Sequence, residues 1–203
     1  MKSAESDKSK RDTDVAELKL LQRVAASDRA AFEQLFHIYH PRLFTFLFRL
    51  TRSHGAAEEL ASDVLMTLWK DAGKFRGDSK VSTWVFGIAY RQALAHLRKR
   101  KMPTVSLLDD ITPVVEADTQ REREDWVRQG IQRLPPKQKL TVMLVYFLGL
   151  TCEETAIASG VPVSTVKTRM FHARKKMKRY LVTSDTLPDL PGRKGHGDTA
   201  NDD

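Results

Sequence analysis

The chain has 203 residues, 41% of them hydrophobic and 30% charged, with a formal net charge of +8 at pH 7. That length suits one domain or two small ones with cores of their own, and the cationic excess points to a polyanionic partner without saying which. A single cysteine, Cys152, excludes an internal disulfide and any zinc site built on several thiolates.

The N-terminal stretch "MKSAESDKSKRDTD" is charged throughout and has no apolar centre, so it is not read as a secretion signal. Residues 1–13 lack periodicity, as do residues 183–203, which are rich in Asp, Gly and Pro; both are expected to be disordered tails. The longest apolar stretch, "LTVMLVYFLGL" at 140–150, is too short to cross a bilayer and reads as a buried helix. No membrane insertion is expected, and the expected location is cytoplasmic.

From about residue 15 to 101 the pattern is helical almost throughout. Phe32, Leu35, Phe36 and Tyr39, then Leu43, Phe46, Leu47 and Leu50, recur at three- and four-residue spacings. Pro41 interrupts that run and is expected to kink or split it. A second helix after "SHGAA" carries Leu60, Val64, Leu65 and Leu68, with Glu58, Glu59 and Asp63 on its other side. A Gly-containing loop, "KFRGDSK" at 74–80, comes next. Ser82 is placed to cap the helix that follows, which ends in the cations Arg98, Lys99, Arg100 and Lys101 as its dipole favours.

Residues 102–120, "MPTVSLLDDITPVVEADTQ", carry two prolines and the acids Asp109, Asp110, Glu116 and Asp118 with no cation, and read as a flexible acidic linker. Helical pattern resumes near 121, and Pro135-Pro136 marks another boundary. The two-residue period of strands is convincing nowhere. The predicted fold is all-α: two small helical domains, 14–101 and 121–182, joined by the linker 102–120.

The C-terminal domain ends in "LTCEETAIASGVPVSTVKTRMFHARKKM", with a short helix from about 152, a turn at Gly160, and a second helix that Ser164 is placed to cap. Such spacing is that of a helix-turn-helix. At about 100° per residue, Val166, Met170, Ala173, Met177 and Tyr180 form one apolar stripe. Thr165, Thr168, His172, Lys175 and Arg179 point the opposite way, with Lys167, Arg169 and Arg174 flanking the stripe. No acid occurs between 162 and 181. A face of that kind can enter a major groove and read base edges, whereas an ordinary solvated helix face mixes both signs of charge. Phe171 falls among the polar residues, where it can contact a thymine methyl or pack on a neighbouring helix; the second is expected.

In the N-terminal domain Phe75, Trp84, Phe86 and Tyr90 alternate with Lys74, Arg76, Lys80, Arg91 and Arg98. Aromatic faces stack on unpaired bases while cations hold the backbone, the arrangement used for single-stranded nucleic acid. Aromatic residues at helical spacing also build cores, and Trp84 is open to either role. The six histidines (His37, His40, His54, His96, His172 and His196) are scattered without metal-ligand spacing. No catalytic site, metal or cofactor is expected.

Together these segments resemble the bacterial sigma-70 family in its short extracytoplasmic-function form, over nearly everything from about 30 to 181. "AEELASDVLMTLW" at 57–69 is similar to the segment that binds the clamp helices of the largest catalytic subunit of core RNA polymerase. The resemblance implies core-binding roles for Glu59, Ser62, Asp63 and Thr67. "FRGDSKVSTWVFGIAYRQALAHLRKR" at 75–100 resembles the segment that melts and reads the −10 promoter element, which implicates Phe75, Arg76, Lys80, Trp84, Tyr90, Arg91 and Arg98. Residues 134–174 resemble the module that reads the −35 element, which adds Ser164, Thr165, Lys167, Thr168, Arg169, His172, Lys175 and Arg179 on the second helix and its continuation.

Arg91 stands where the family commonly has an Asn lining the pocket for a flipped −10 base, and Ala95 where a polar or acidic residue is usual. Phe171 and His172 replace polar and basic residues, and Ser164 a frequent Gly. The implied partners are core RNA polymerase, promoter DNA and an inhibitory anti-sigma factor. A stand-alone helix-turn-helix regulator is the alternative, but it would need a dimer seam for half-site spacing, and none is visible.

Overall fold

A computed structural model describes the backbone of residues 2–99, 127 and 129–183, and the side chains of 11–99, 127 and 129–180. The expected linker at 102–120 and the tail beyond residue 183 lie outside the described residues. Among the described residues there is no strand.

The first unit consists of α1 (Lys2–Ala25), α2 (Arg29–Thr51), α3 (His54–Asp71), a short 3-10 turn (Ala72–Lys74) and α4 (Val81–Lys99). Local chemistry sets the corners. The Asp28 side chain accepts from the Ala31 amide to start α2, and Ser53 accepts from Ala56 to start α3. Between them Arg52 takes the left-handed conformation (φ 60°) that ends α2, its amide donating to the Phe48 carbonyl.

Leu35, Tyr39, Leu43 and Leu47 of α2 pack with Leu60, Val64 and Leu68 of α3 and with Val85, Phe86 and Ala89 of α4, all buried. The Phe86 ring meets Tyr39 and Phe46 edge-on, with centroids 6.4 and 5.9 Å away. Each such side chain contributes about 1.5–3 kcal/mol by leaving water. Leu21 and Val24 of α1 close the bundle on its remaining side.

Two expectations for this unit are corrected and a third, at Pro41, is narrowed. Residues 2–13 are helical and belong to α1; the stretch has neither Gly nor Pro to stop it, so the helix propagates outward from its packed end. Pro41 does not split α2. It lies on the exposed side, where the carbonyl left without its amide partner can face solvent, and its own carbonyl accepts from the Thr45 hydroxyl at 2.8 Å. Ser82 does not cap α4: the Trp84 amide donates to the Lys80 carbonyl at 3.1 Å, so Lys80 occupies the cap position and Ser82 lies within the first turn.

The second unit comprises α5 (129–132), α6 (Pro136–Val142), a π-helical turn (Met143–Phe147), α7 (Cys152–Ser159) and α8 (Val163–Thr183). Pro136 starts α6, where its missing amide costs nothing. Thr151 and Glu154 form a reciprocal capping box at the start of α7. Gly160 ends that helix in the left-handed region (φ 65°), and the Val161 amide reaches back to the Ala156 carbonyl, which turns the chain steeply into α8. Pro162, not Ser164, precedes α8, since the Pro162 carbonyl accepts from Thr165 and Val166.

The two units pack together. α4 lies against α7 and α6. The Gln132 side chain donates to the Arg49 carbonyl at 2.9 Å, and the Arg49 guanidinium stands 4.6 Å over the Phe147 ring. No feature of the sequence predicts this docking.

Candidate nucleic-acid interface

On α8 the apolar stripe is inward: Val166, Met170 and Ala173 are buried and Met177 packs partly against them. The Tyr180 hydroxyl donates to Gln129 at 2.9 Å, which holds the far end of α8 against α5. Ser164, Lys167, Thr168, His172, Lys175 and Arg179 are exposed on the remaining surface, with Thr165 and Arg169 half-buried. Arg174 is drawn aside, its Nε donating to the Tyr146 hydroxyl at 3.0 Å. Phe171 does not pack on a neighbouring helix: it is 62% exposed, with the His172 ring 5.5 Å from its own. About 100° of helix rotation separates position 171 from the buried Met170, so the ring falls on the outer face among the cations.

In the expected melting segment Arg76, Arg91 and Arg98 are exposed. Phe75 is not a free loop aromatic. Its ring lies 5.4 Å from that of Trp84, and both are half-buried against the core, so each has a packing role as well as an exposed edge. Lys80 is exposed but bound, with Asp14 of α1 and Glu154 of α7 each 3.3 Å from its ammonium. Partial burial opposes its charge, but the two carboxylates outweigh that cost and raise its pKa above the usual lysine value. Tyr90 is only 3% exposed, and its hydroxyl accepts from the Arg169 guanidinium at 3.3 Å. The fold thus joins residues from the two expected promoter-reading sets to each other.

On α3, Glu59, Ser62 and Asp63 are exposed along one face. Thr67 is not free: it donates to the Asp63 carbonyl at 2.8 Å and accepts from Gln92 of α4 at 3.1 Å. Met66, 52% exposed, extends the face of Glu59, Ser62 and Asp63 at helical spacing. Sequence reading passed over it because an apolar residue in a helix is ordinarily assigned to the core; its offset from Leu65 and Leu68 was the available signal. Among the described residues, no helix is long and apolar enough to cross a membrane.

Two helical units, one ending in a helix-turn-helix with an acid-free basic face, define a DNA-binding protein. Residues 35–102 match the family model of sigma-70 region 2, and residues 124–177 match that of sigma-70 region 4. The chain is 32% identical over 166 residues to the ECF RNA polymerase sigma factor SigM of Mycobacterium tuberculosis, an alignment covering 82% of this chain and 85% of that one. It shares its fold with CnrH, solved in complex with the cytosolic domain of CnrY, at a TM-score of 0.64 and 19% identity over 84% of this chain and 99% of that one. The sigma factor RpoE of Bartonella quintana, solved with the anti-sigma factor NepR, aligns with a TM-score of 0.58 and 24% identity over 75% of this chain and 98% of that one. The protein belongs to the sigma-70 family, in its extracytoplasmic-function (ECF) branch, and is an RNA polymerase sigma factor.

Proposed function

We propose that residues 14–101 dock on core RNA polymerase and open the −10 element, while residues 121–182 place the complex over the −35 duplex. The observation that carries this division is the exposed face of α8, basic and free of acids, on a helix whose other side is fully occupied by packing. Lys167, Thr168, His172, Lys175 and Arg179 face the duplex, with Arg169 at the margin; Glu59, Ser62, Asp63 and Met66 face the polymerase. Strand opening uses binding alone. Extruding a base costs a few kcal/mol, offset by stacking worth about 1–3 kcal/mol per base on the Phe75–Trp84 pair and by hydrogen bonds from Arg91. The protein works in the cytoplasm without catalytic chemistry of its own, and an anti-sigma factor of the kind seen with the RpoE relative holds it inactive.

Run-off transcription with purified core polymerase on genomic fragments tests the function. Discrete transcripts that require the protein are expected, and their absence on every fragment, with core polymerase shown to be active, refutes it. The docking face has its own test. Asp63→Arg should weaken core binding at least tenfold through like-charge repulsion with the clamp, leaving the circular dichroism spectrum unchanged. Wild-type retention in a pull-down would remove that face from the interface.

A further inference from the structure

We propose that the acidic stretch that follows α8, residues 185–189, seats in a cationic cleft between α2 and the π-helical turn. The cleft has a volume of about 370 Å³, with Arg42, Thr45, Phe46 and Arg49 of α2 on one side and Phe147 and Leu148 on the other. Arg42 and Arg49 are seven residues apart, two turns of one helix face, so their α-carbons stand about 10 Å apart. Among the described residues Arg49 has no carboxylate partner, its guanidinium resting 4.6 Å over the Phe147 ring, while Arg42 has Glu17 at 4.0 Å. Between the two cations the cleft is apolar: Phe46 is buried, and Phe147 is left 40% exposed. Positive charge at each end of an apolar middle suits a peptide with the pattern acid, apolar, acid.

This chain carries such a peptide. Residues 184–203 hold five acids (Asp185, Asp189, Asp198, Asp202 and Asp203) against two cations, Arg193 and Lys194, in a chain that is otherwise basic. On an extended backbone alternate side chains share a face, which puts Asp185, Leu187 and Asp189 together, with the two acids about 13 Å apart. That span matches the arginine spacing once the flexible arginine side chains lean outward. Pro188 and Pro191 bias the residues before them, Leu187 and Leu190, toward extended backbone, which lowers the entropy lost on seating.

The chain also leaves α8 beside the cleft. Tyr180, in the last turn of α8, donates to Gln129 of α5, and Gln132 at the other end of α5 donates to the Arg49 carbonyl. In the seat, Leu187 covers the exposed Phe147 ring while Asp185 and Asp189 pair with Arg49 and Arg42. The exposed ion pairs contribute little each, so they set the register and the apolar contact adds to them. Seated, the stretch also screens two cations that could otherwise hold phosphate without sequence preference.

Disulfide trapping in the full-length chain tests this. In a Cys152→Ser background, Thr45→Cys in the middle of the cleft and Leu187→Cys should close an intramolecular disulfide at low salt under glutathione disulfide, read on a non-reducing gel. Asp185→Lys with Asp189→Lys should slow closure about tenfold, the loss expected for two exposed ion pairs. Asp198→Lys with Asp202→Lys reverses as many charges further along and should leave the rate within about twofold, since those acids have no place in the seat. Circular dichroism checks the folding of the Thr45→Cys parent, and Pro41→Cys, on the exposed edge of the same cleft, serves if that parent does not fold. Equal slowing by the two double reversals would show general attraction and overturn the seat. Closure indifferent to both reversals would overturn it too, as would disulfides that link two copies of the chain.

Discussion

Glu17 is 4% exposed, a carboxylate in the core of the first unit. It accepts from the Tyr39 hydroxyl at 2.5 Å, and the Arg42 guanidinium stands 4.0 Å away while also lying over the Tyr39 and Phe86 rings. Burial, and then the Glu17 charge, push the Tyr39 phenol far above its ordinary pKa, so it stays a donor at every physiological pH. Glu17→Ala leaves that hydroxyl buried without an acceptor and should lower stability by about 1–3 kcal/mol in urea denaturation; Glu17→Gln, which retains an acceptor, should lose less. Asp28 makes a second prediction. The Ala31 amide and then Arg23 hold its carboxyl below the usual value, so it contributes stability above the ordinary carboxylate range and loses it as pH falls through the depressed value. Thermal melts of Asp28→Asn and wild type should therefore differ at neutral pH and converge in acid. The apolar positions of α2 and α3 were legible because periodicity reports them directly. Glu17 was not recognised as buried, although it stands four and seven residues before Leu21 and Val24 on the same stripe, because its partner lies on another helix.

At the scale of the helix, α8 is the most legible element. Its two faces follow from spacing alone, and the stripe from Val166 to Ala173 is buried as that spacing requires. Lys175→Ala with Arg179→Ala should weaken promoter binding and reduce the slope of log affinity against log salt by about one per lost phosphate contact. An unchanged slope, measured by fluorescence anisotropy of holoenzyme on promoter duplex, would take these side chains off the DNA. Helix boundaries were less legible. A cap is defined by which carbonyl accepts the first helical bond, so Lys80 and Pro162 hold positions that Ser82 and Ser164 were expected to fill. The π-helical turn at Met143–Phe147 has no sequence marker either; it turns Phe147 toward Arg49 of α2.

For the whole molecule, packing between the units makes them one thermodynamic object. Gly87 of α4 and Ala158 of α7 meet so closely that a β-carbon added at Gly87 would come within 3.1 Å of the Ala158 carbonyl oxygen. Calorimetry of the wild type at low salt should give a single cooperative transition, which Ala158→Gln should resolve into two; a single transition in both would mean that the coupling lies elsewhere, as at Gln132 and Arg49. Docking was the least legible property of the sequence. It depends on Gly87, Ala158, Lys80 and Glu154, small residues and surface charges whose ordinary role is helix packing or solvation. Only their meeting across the fold gives them another, and one-dimensional periodicity does not report it.

The contacts that join the two units link residues far apart in the chain: Tyr90 and Arg169 are 79 residues apart, and Arg49 of α2 and Gln132 of α5 are 83 apart. During synthesis the first unit leaves the ribosome well before α7 exists. At about 5–20 residues per second, the roughly 60 residues from the end of α4 to Ala158 take about 3–12 s to make. For that interval the nascent chain presents α4 with nothing lying over it. The order of the elements along the chain therefore makes the α4 face first and the helix that packs on it last.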